Sequence, residues 1–498
     1  MSGRIVSKVR SRLAVVWSCR GNNILKYELE KPALIYKAGF FIDEKQKLEE
    51  VEMRFKSLSV FILILTVVFV TAVGCATTEE SASTAVSDFE VWAVDQSPSG
   101  SYGEGGLIYI WDGSEISSNA SEATPEIIDL AKAAVAAGCD APKKPHMVLS
   151  NHTSPKATHV VLANVGSGDT FFINIDNRTI VGCVNTVGGF NGAGGTANAH
   201  ASIASPDNSM AIVANIGAKD ESGFLHKIQT DYTNDDYKLV ETLSLDQFSN
   251  ELGTSVARPI CHEFTEDSKF AYVTLAGGGL LVVDVGSPDG TSPMSVVKVY
   301  DKDTVPGIGC GVSRLPLGKI MTNGESGAKG GDDFLYTFDA SKATDGVFPD
   351  PVQIELPGED THGAVTCTDQ NGDLFAVTSM RVSNDVNFVD LQTNTVVATQ
   401  SMSAPFSEDP KPDVADIVGN KMFIALRGAK PLSAIGALEF AGRTPGVAVL
   451  TINDSCNGFS WESKDLASMD DPARLVDGIF PGQKISAADP HGLEVIFR

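Results

Sequence analysis

The chain has 498 residues, 43% hydrophobic and 20% charged, an ordinary globular balance whose length by itself suggests about three domains. The charge is less ordinary: 63 acidic against 38 basic residues leave −25, a surface that repels nucleic-acid phosphates and anionic lipid alike. Eight cysteines with no CxxC pair and no CxxCH exclude zinc-ribbon, thioredoxin-like and c-type haem chemistry.

The first recognisable element is a short basic stretch, Met53-Arg54-Phe55-Lys56, followed by an uncharged, strongly apolar run from Leu58 to Gly74. A basic start, an apolar middle and small residues before a break make a secretory signal over 53–75. Ala72-Val73-Gly74-Cys75 resembles a bacterial lipobox, which implies lipidation of Cys75 and attachment to the membrane through that anchor alone. The competing reading is a single membrane-spanning anchor. Residues 1–52 precede any such signal, so they read as an upstream region ahead of a true start at Met53, or as a cytoplasmic extension. Residues 1–74 hold 12 Lys or Arg and 7 Asp or Glu, so the segment from Cys75 onward carries a charge near −30. Residues 76–87, rich in Ser, Thr and Ala, form a tether.

From residue 88 one pattern repeats: a β-rich strand, a Gly/Asp/Asn turn, and a second β-rich strand closing on Asp or Asn. The pairs begin at Phe89/Leu107, Thr158/Thr170, Ser209/Gly223, Phe270/Gly279, Lys319/Phe334, Leu374/Val386 and Lys421/Gly446. Between the first two, Thr124-Pro125-Glu126 and the apolar residues after it predict a rim helix over 125–137, ending at Gly138. Seven units spaced 52 to 63 residues apart describe one all-β, seven-bladed β-propeller over 88–498 in place of three domains. The C-terminal run from Pro490 to Phe497 reads as an innermost strand with nothing after it, and the unit at Phe89 lacks one. Pairing the two closes the ring.

Phe388-Val389-Asp390-Leu391-Gln392-Thr393-Asn394-Thr395-Val396-Val397-Ala398-Thr399 and Ala271-Tyr272-Val273-Thr274 resemble the YVTN-type, quinoprotein-amine-dehydrogenase-like repeats of bacterial propellers. The resemblance spans roughly 88–498 and implies the fold without a single activity, since it takes in lactonases, nitrous oxide reductase N-terminal domains, methanethiol oxidases and binding modules.

Candidate chemistry sits at the inner strands, which line the central channel. Pro145-His146, Ala199-His200, Cys261-His262, Thr361-His362 and Pro490-His491 each stand at or just before one, and the other two blades offer Cys310 and Asp413/Asp416. Imidazole, thiolate and carboxylate are ligands for copper, zinc or iron. The resemblance to nitrous oxide reductase, whose propeller gathers histidines around copper, implies a copper site on His146, His200, His262, His362 and His491. The alternative is that a Pro-His before each inner strand repeats one structural solution. His152, His159 and His226 lie off this register and read as structural.

Six cysteines beyond Cys19 and Cys75 form an even set, and an exported chain would oxidise them. Cys139 with Cys183, Cys261 with Cys310 and Cys367 with Cys456 are the pairs expected among fifteen connectivities; free Cys261 and Cys310 would instead favour Cu(I). The doublets Asp235-Asp236, Asp332-Asp333 and Asp470-Asp471 lack EF-hand spacing, and the glycine runs lack a following Lys-Ser/Thr, so neither marks a calcium loop or a phosphate cradle. The absence of G-x-S-x-G excludes an α/β-hydrolase. The expectation is a lipid-anchored envelope propeller, at the outer membrane, periplasm or cell surface, binding a protein, polysaccharide or small ligand. Its rival is a copper-dependent oxidoreductase using the channel histidines.

Overall fold

The computed structural model describes residues 88–98, 105–307, 309–324, 333–432, 441–477, 482 and 484–498, together with the backbone of Arg12–Val15 and Tyr27–Glu30. The chain divides into two units, 1–85 and 86–498. In the first, Arg12–Val15 pairs antiparallel with Tyr27–Glu30. The signal over 53–75, its Cys75 and the tether 76–87 lie outside the described residues.

The second unit is a seven-bladed β-propeller of antiparallel sheets. Blades two to seven begin with inner strands Pro145–Ser150, Ala199–Ala204, Arg258–Phe264, Val312–Leu315, Thr361–Thr368 and Pro412–Val418. Blade one takes its inner strand from the other end of the chain: Pro490–Phe497 pairs with Phe89–Asp95, with Val91 opposite Val495. Joining both ends of the unit in one sheet leaves no open edge in the ring.

Strand alternation explains why the blades stack. In Phe270–Ala276, Phe270 and Tyr272 join Tyr336 and Phe338 in one buried cluster, while Ala271, Val273 and Leu275 join Ile212 and Leu225 in another. Successive side chains point to opposite faces, and in a propeller both faces meet a neighbouring blade, so every residue of the strand but Thr274 is apolar.

The expected rim helix over 125–137 is corrected in its first half. Glu126–Asp129 is the outermost strand of blade one, with Ile127 opposite Tyr109 and Ile128 opposite Ile108. The helix covers only Leu130–Ala136 and is capped by the Asp129 carboxylate, which accepts from the Lys132 amide at 3.1 Å. A fourth strand completing the sheet outweighs the local Thr-Pro-Glu helix signal, because tertiary pairing overrides weak propensity. A second short helix, Gly113–Ser118, is capped in the same way by Asp112.

Candidate functional site

The inner strands share a defect that builds the site. In blades one, two, three, four, six and seven the register slips by one residue at the start of the inner strand, a β-bulge. A bulge leaves one residue outside the ladder and re-aims its side chain. In five blades that position is His491, His146, His200, His362 and Asp413. The strands also approach closely there: a Cβ on Gly492 would stand 2.3 Å from the His146 carbonyl oxygen, and one on Gly363 would stand 2.5 Å from that of Asp413. Glycine after His491 and after His362 lets these strand starts draw in against their neighbours.

The meeting is tight. His146 Nε2 lies 3.1 Å from His200 Nε2 and 3.1 Å from His491 Nε2. Opposite, the Asp413 carboxylate takes His491 Nδ1 at 2.8 Å and His362 Nδ1 at 2.5 Å. Blades four and five contribute the Cys261–Cys310 disulfide, with Cys261 Sγ 3.9 Å from His200 Nδ1. Every blade therefore places one residue on the axis.

A buried ion network frames this cluster. Arg427, wholly buried, donates from Nε and Nη2 to the two oxygens of Asp489, each at 2.8 Å, and from Nη1 to Asp413 at 2.8 Å. Arg381 forks onto Asp360 at 2.6 and 2.9 Å and stands 3.7 Å from Asp413. Burial pushes the Asp413 carboxyl up, but His362, His491 and Arg381 more than reverse this and hold it well below the usual carboxylate range. Burial raises Asp489, yet the Arg427 fork and the Leu432 amide at 2.7 Å are all donors, which keeps it a carboxylate. Three carboxylates then face two guanidiniums. Burial drives His200 and His491 down to about 3 and lowers His146 and His362, so the imidazoles are neutral beside a frame in which, among the described residues, carboxylates outnumber guanidiniums.

Neutral imidazoles create a problem of hydrogen bonding that a cation solves. Asp413 holds the Nδ1 proton of His491, so His491 Nε2 offers a lone pair. The Gln96 amide bonds His146 Nδ1, and among the described residues its carbonyl oxygen has no partner. Turned over, that amide accepts the Nδ1 proton and leaves His146 Nε2 bare as well. The Ile260 backbone supports His200. One proton at His146 Nε2 makes one linear N–H···N bond and cannot serve both neighbours. Ligand nitrogens about 2.0–2.1 Å from a tetrahedral ion stand roughly 3.3 Å apart, close to the two distances that His146 Nε2 makes to its neighbours. A carboxylate or carbonyl behind each ligating imidazole is the usual support of such sites.

Two expected members stand elsewhere. His262 packs on Phe264 with ring centroids 5.5 Å apart, and among the described residues neither ring nitrogen has a hydrogen-bond partner. The register shows why: Pro259 aligns with Pro145, so Ile260 takes the position of His146, and His262 that of Val148, which points between blades. Asp416 lines a cavity of about 210 Å³ next to the disulfide, with Glu494 and Glu263. His159 pairs with Asp235 at 3.0 Å and His226 with Thr242 at 2.8 Å, away from the axis. His152 borders a larger cleft of about 510 Å³ that holds none of the axial residues. Sequence reasoning missed Gln96, Arg381 and Arg427. Each directly follows the second strand of its blade, a shared position that aligning the repeats would have exposed.

The cavity carboxylates titrate unusually. Burial raises Glu494 to about 8, Glu263 to about 7 and Asp416 to about 6. They keep protons in the fold that the unfolded chain has lost, so their stabilising effect is full below about pH 4 and is lost as pH rises through the folded values, near 6 for Asp416, 7 for Glu263 and 8 for Glu494. Metal-free protein should lose stability over that window in urea titrations. Glu494→Gln should flatten the loss by about 2 kcal/mol; an unchanged slope would show that Glu494 is ionised in the fold. The buried imidazoles act with the opposite sign, since the unfolded chain binds protons below about 6.5 that the fold refuses.

No protein-family model and no curated protein matches this sequence. Solved structures do. The periplasmic gluconolactonase PpgL of Pseudomonas aeruginosa aligns with TM-score 0.51 at 11% identity, over 82% of this chain and 99% of its own. A Lactobacillus plantarum protein aligns with TM-score 0.50 at 11% identity over the same shares. A Bacteroides uniformis protein provisionally assigned as a 6-phosphogluconolactonase aligns with TM-score 0.51 at 12% identity, over 82% and 99%. At such identities the likeness establishes the seven-bladed propeller fold. The Cys139–Cys183, Cys261–Cys310 and Cys367–Cys456 disulfides form as expected from their places in the blades. Among the described residues no helix is long and apolar enough to cross a membrane.

Proposed function

We propose that this chain is a metal-binding propeller that holds one copper or zinc ion on the axis, with His146, His200 and His491 as ligands. The observation that carries the reading is that the Nε2 atoms of two neutral imidazoles, His200 and His491, each lie 3.1 Å from Nε2 of a third, His146, within a buried ion-paired frame. Asp413 and Gln96 orient the ligands, and His362 stands in reserve on the far oxygen of Asp413. Imidazole nitrogen suits both ions, and the general affinity order places Cu²⁺ above Zn²⁺. Binding, not turnover, is the primary role. The rival reading, a copper-dependent oxidoreductase, would use the same residues and show as dye reduction by the loaded protein. The YVTN-type strand pattern and the charge near −30 suit an exported binding module, and three disulfides favour an oxidising compartment. The lipobox ending at Cys75 would anchor it to the envelope. Titration of metal-free protein with Cu²⁺ and Zn²⁺ against a chromophoric chelator should give one tight equivalent of each. A protein that fails to compete with the chelator for either ion would end the reading.

A further inference from the structure

We propose that Cys261 and Cys310 are a reducible ligand pair: opening their disulfide adds two thiolates beside His200 and makes a Cys₂His site for a soft cation such as Cu(I). The proposal rests on His200 belonging to a metal centre, but it has its own readout. Three observations support it. The sulfurs and a ring nitrogen of His200 all lie within 4.8 Å of one another, and Nδ1 is the nitrogen on the sulfur side, 3.9 Å from Cys261 Sγ, so one ion reaches all three once Nδ1 gives up its proton and the Ile260 backbone support. The other two disulfides sit away from this point: Cys139 and Cys183 link the end of the rim helix to an outer strand, and Cys367 and Cys456 pack within the apolar cluster of blades six and seven. The axial pair borders the cavity of about 210 Å³, which gives a small reductant a way in.

Blades four and five also hold together without the disulfide. Thr274 Oγ1 donates to the Gly309 carbonyl at 2.9 Å, the Gly279 amide donates to the Val305 carbonyl at 2.7 Å, and Tyr272 and Phe338 pack across the boundary. Opening the bond thus leaves the ring closed. The reaction balances simply. A dithiol gives two electrons and two protons, becomes a cyclic disulfide, and leaves two thiols; metal binding then releases both thiol protons to water. Met147, Ala201 and Ile260 surround the pair with apolar groups, so bare thiolates are costly there and metal-bound ones are favoured.

The test uses the full chain, treated with a dithiol under native conditions and desalted without oxygen, with one aliquot mapped by alkylation and the rest loaded with Co²⁺. Reduced protein should gain a thiolate-to-cobalt charge-transfer band in the near ultraviolet that oxidised protein lacks. The band should vanish in the Cys261→Ser, Cys310→Ser double variant and persist in His491→Ala. A disulfide that resists the dithiol, or freed Cys261 and Cys310 thiols that give no band, would overturn the proposal. Loss of Zn²⁺ binding in oxidised protein is a separate result and bears on the histidine centre alone.

Discussion

Replacing His146 and His491 together by Ala lowers the affinity for Cu²⁺ and Zn²⁺ at least 100-fold, read by competition with a chromophoric chelator. Removing groups that merely orient a ligand typically costs 10–100-fold, and here two ligands go. His491→Ala also strips Asp413 of one of its two imidazole donors. The single variant His262→Ala supplies the contrast. His262 sits between blades on Phe264 and should leave affinity within about twofold while altering stability. Equal losses in the two variants would mean that the effect is general unfolding. Unchanged affinity in the double variant would remove the axial histidines from binding.

The second large effect is on stability. Arg427→Leu should destabilise the metal-free fold by about 3–5 kcal/mol, because it removes both guanidinium bonds from Asp489, and one donor from Asp413, in a site with no water-facing surface. Urea midpoints by near-ultraviolet circular dichroism measure this. Replacing both charges, Arg427→Met with Asp489→Asn, should recover much of the loss, since a neutral pair of similar volume is tolerated where a lone buried charge is not. A loss below about 1 kcal/mol in Arg427→Leu would show that the network is hydrated in solution.

The architecture was legible because β-strand periodicity is local. The second and third strands of the blades stand within about a residue of the places the repeat predicts, and closure through Pro490–Phe497 follows from a strand with no partner after it. The helix at 125–137 was half wrong for the complementary reason. Ile127 and Ile128 answer to Tyr109 and Ile108 across a sheet, a contact no local window contains. His146, His200, His362 and His491 were found by their place before an inner strand, and the structure brings them together. His262 failed that rule by two residues, and the proline at 259 was the available warning. Arg427 and Asp489 lie 62 residues apart in sequence and meet only because the ring closes, so a single sequence carried no sign of their pairing.

The most direct measurement is electron paramagnetic resonance of the Cu²⁺-loaded full chain, with pulsed detection of coupled imidazole nitrogens. Three imidazoles in the native protein and two in His200→Ala are the expected result. A spectrum with no imidazole coupling, or one left unaltered by His146→Ala, His200→Ala and His491→Ala alike, would contradict a metal centre on the propeller axis.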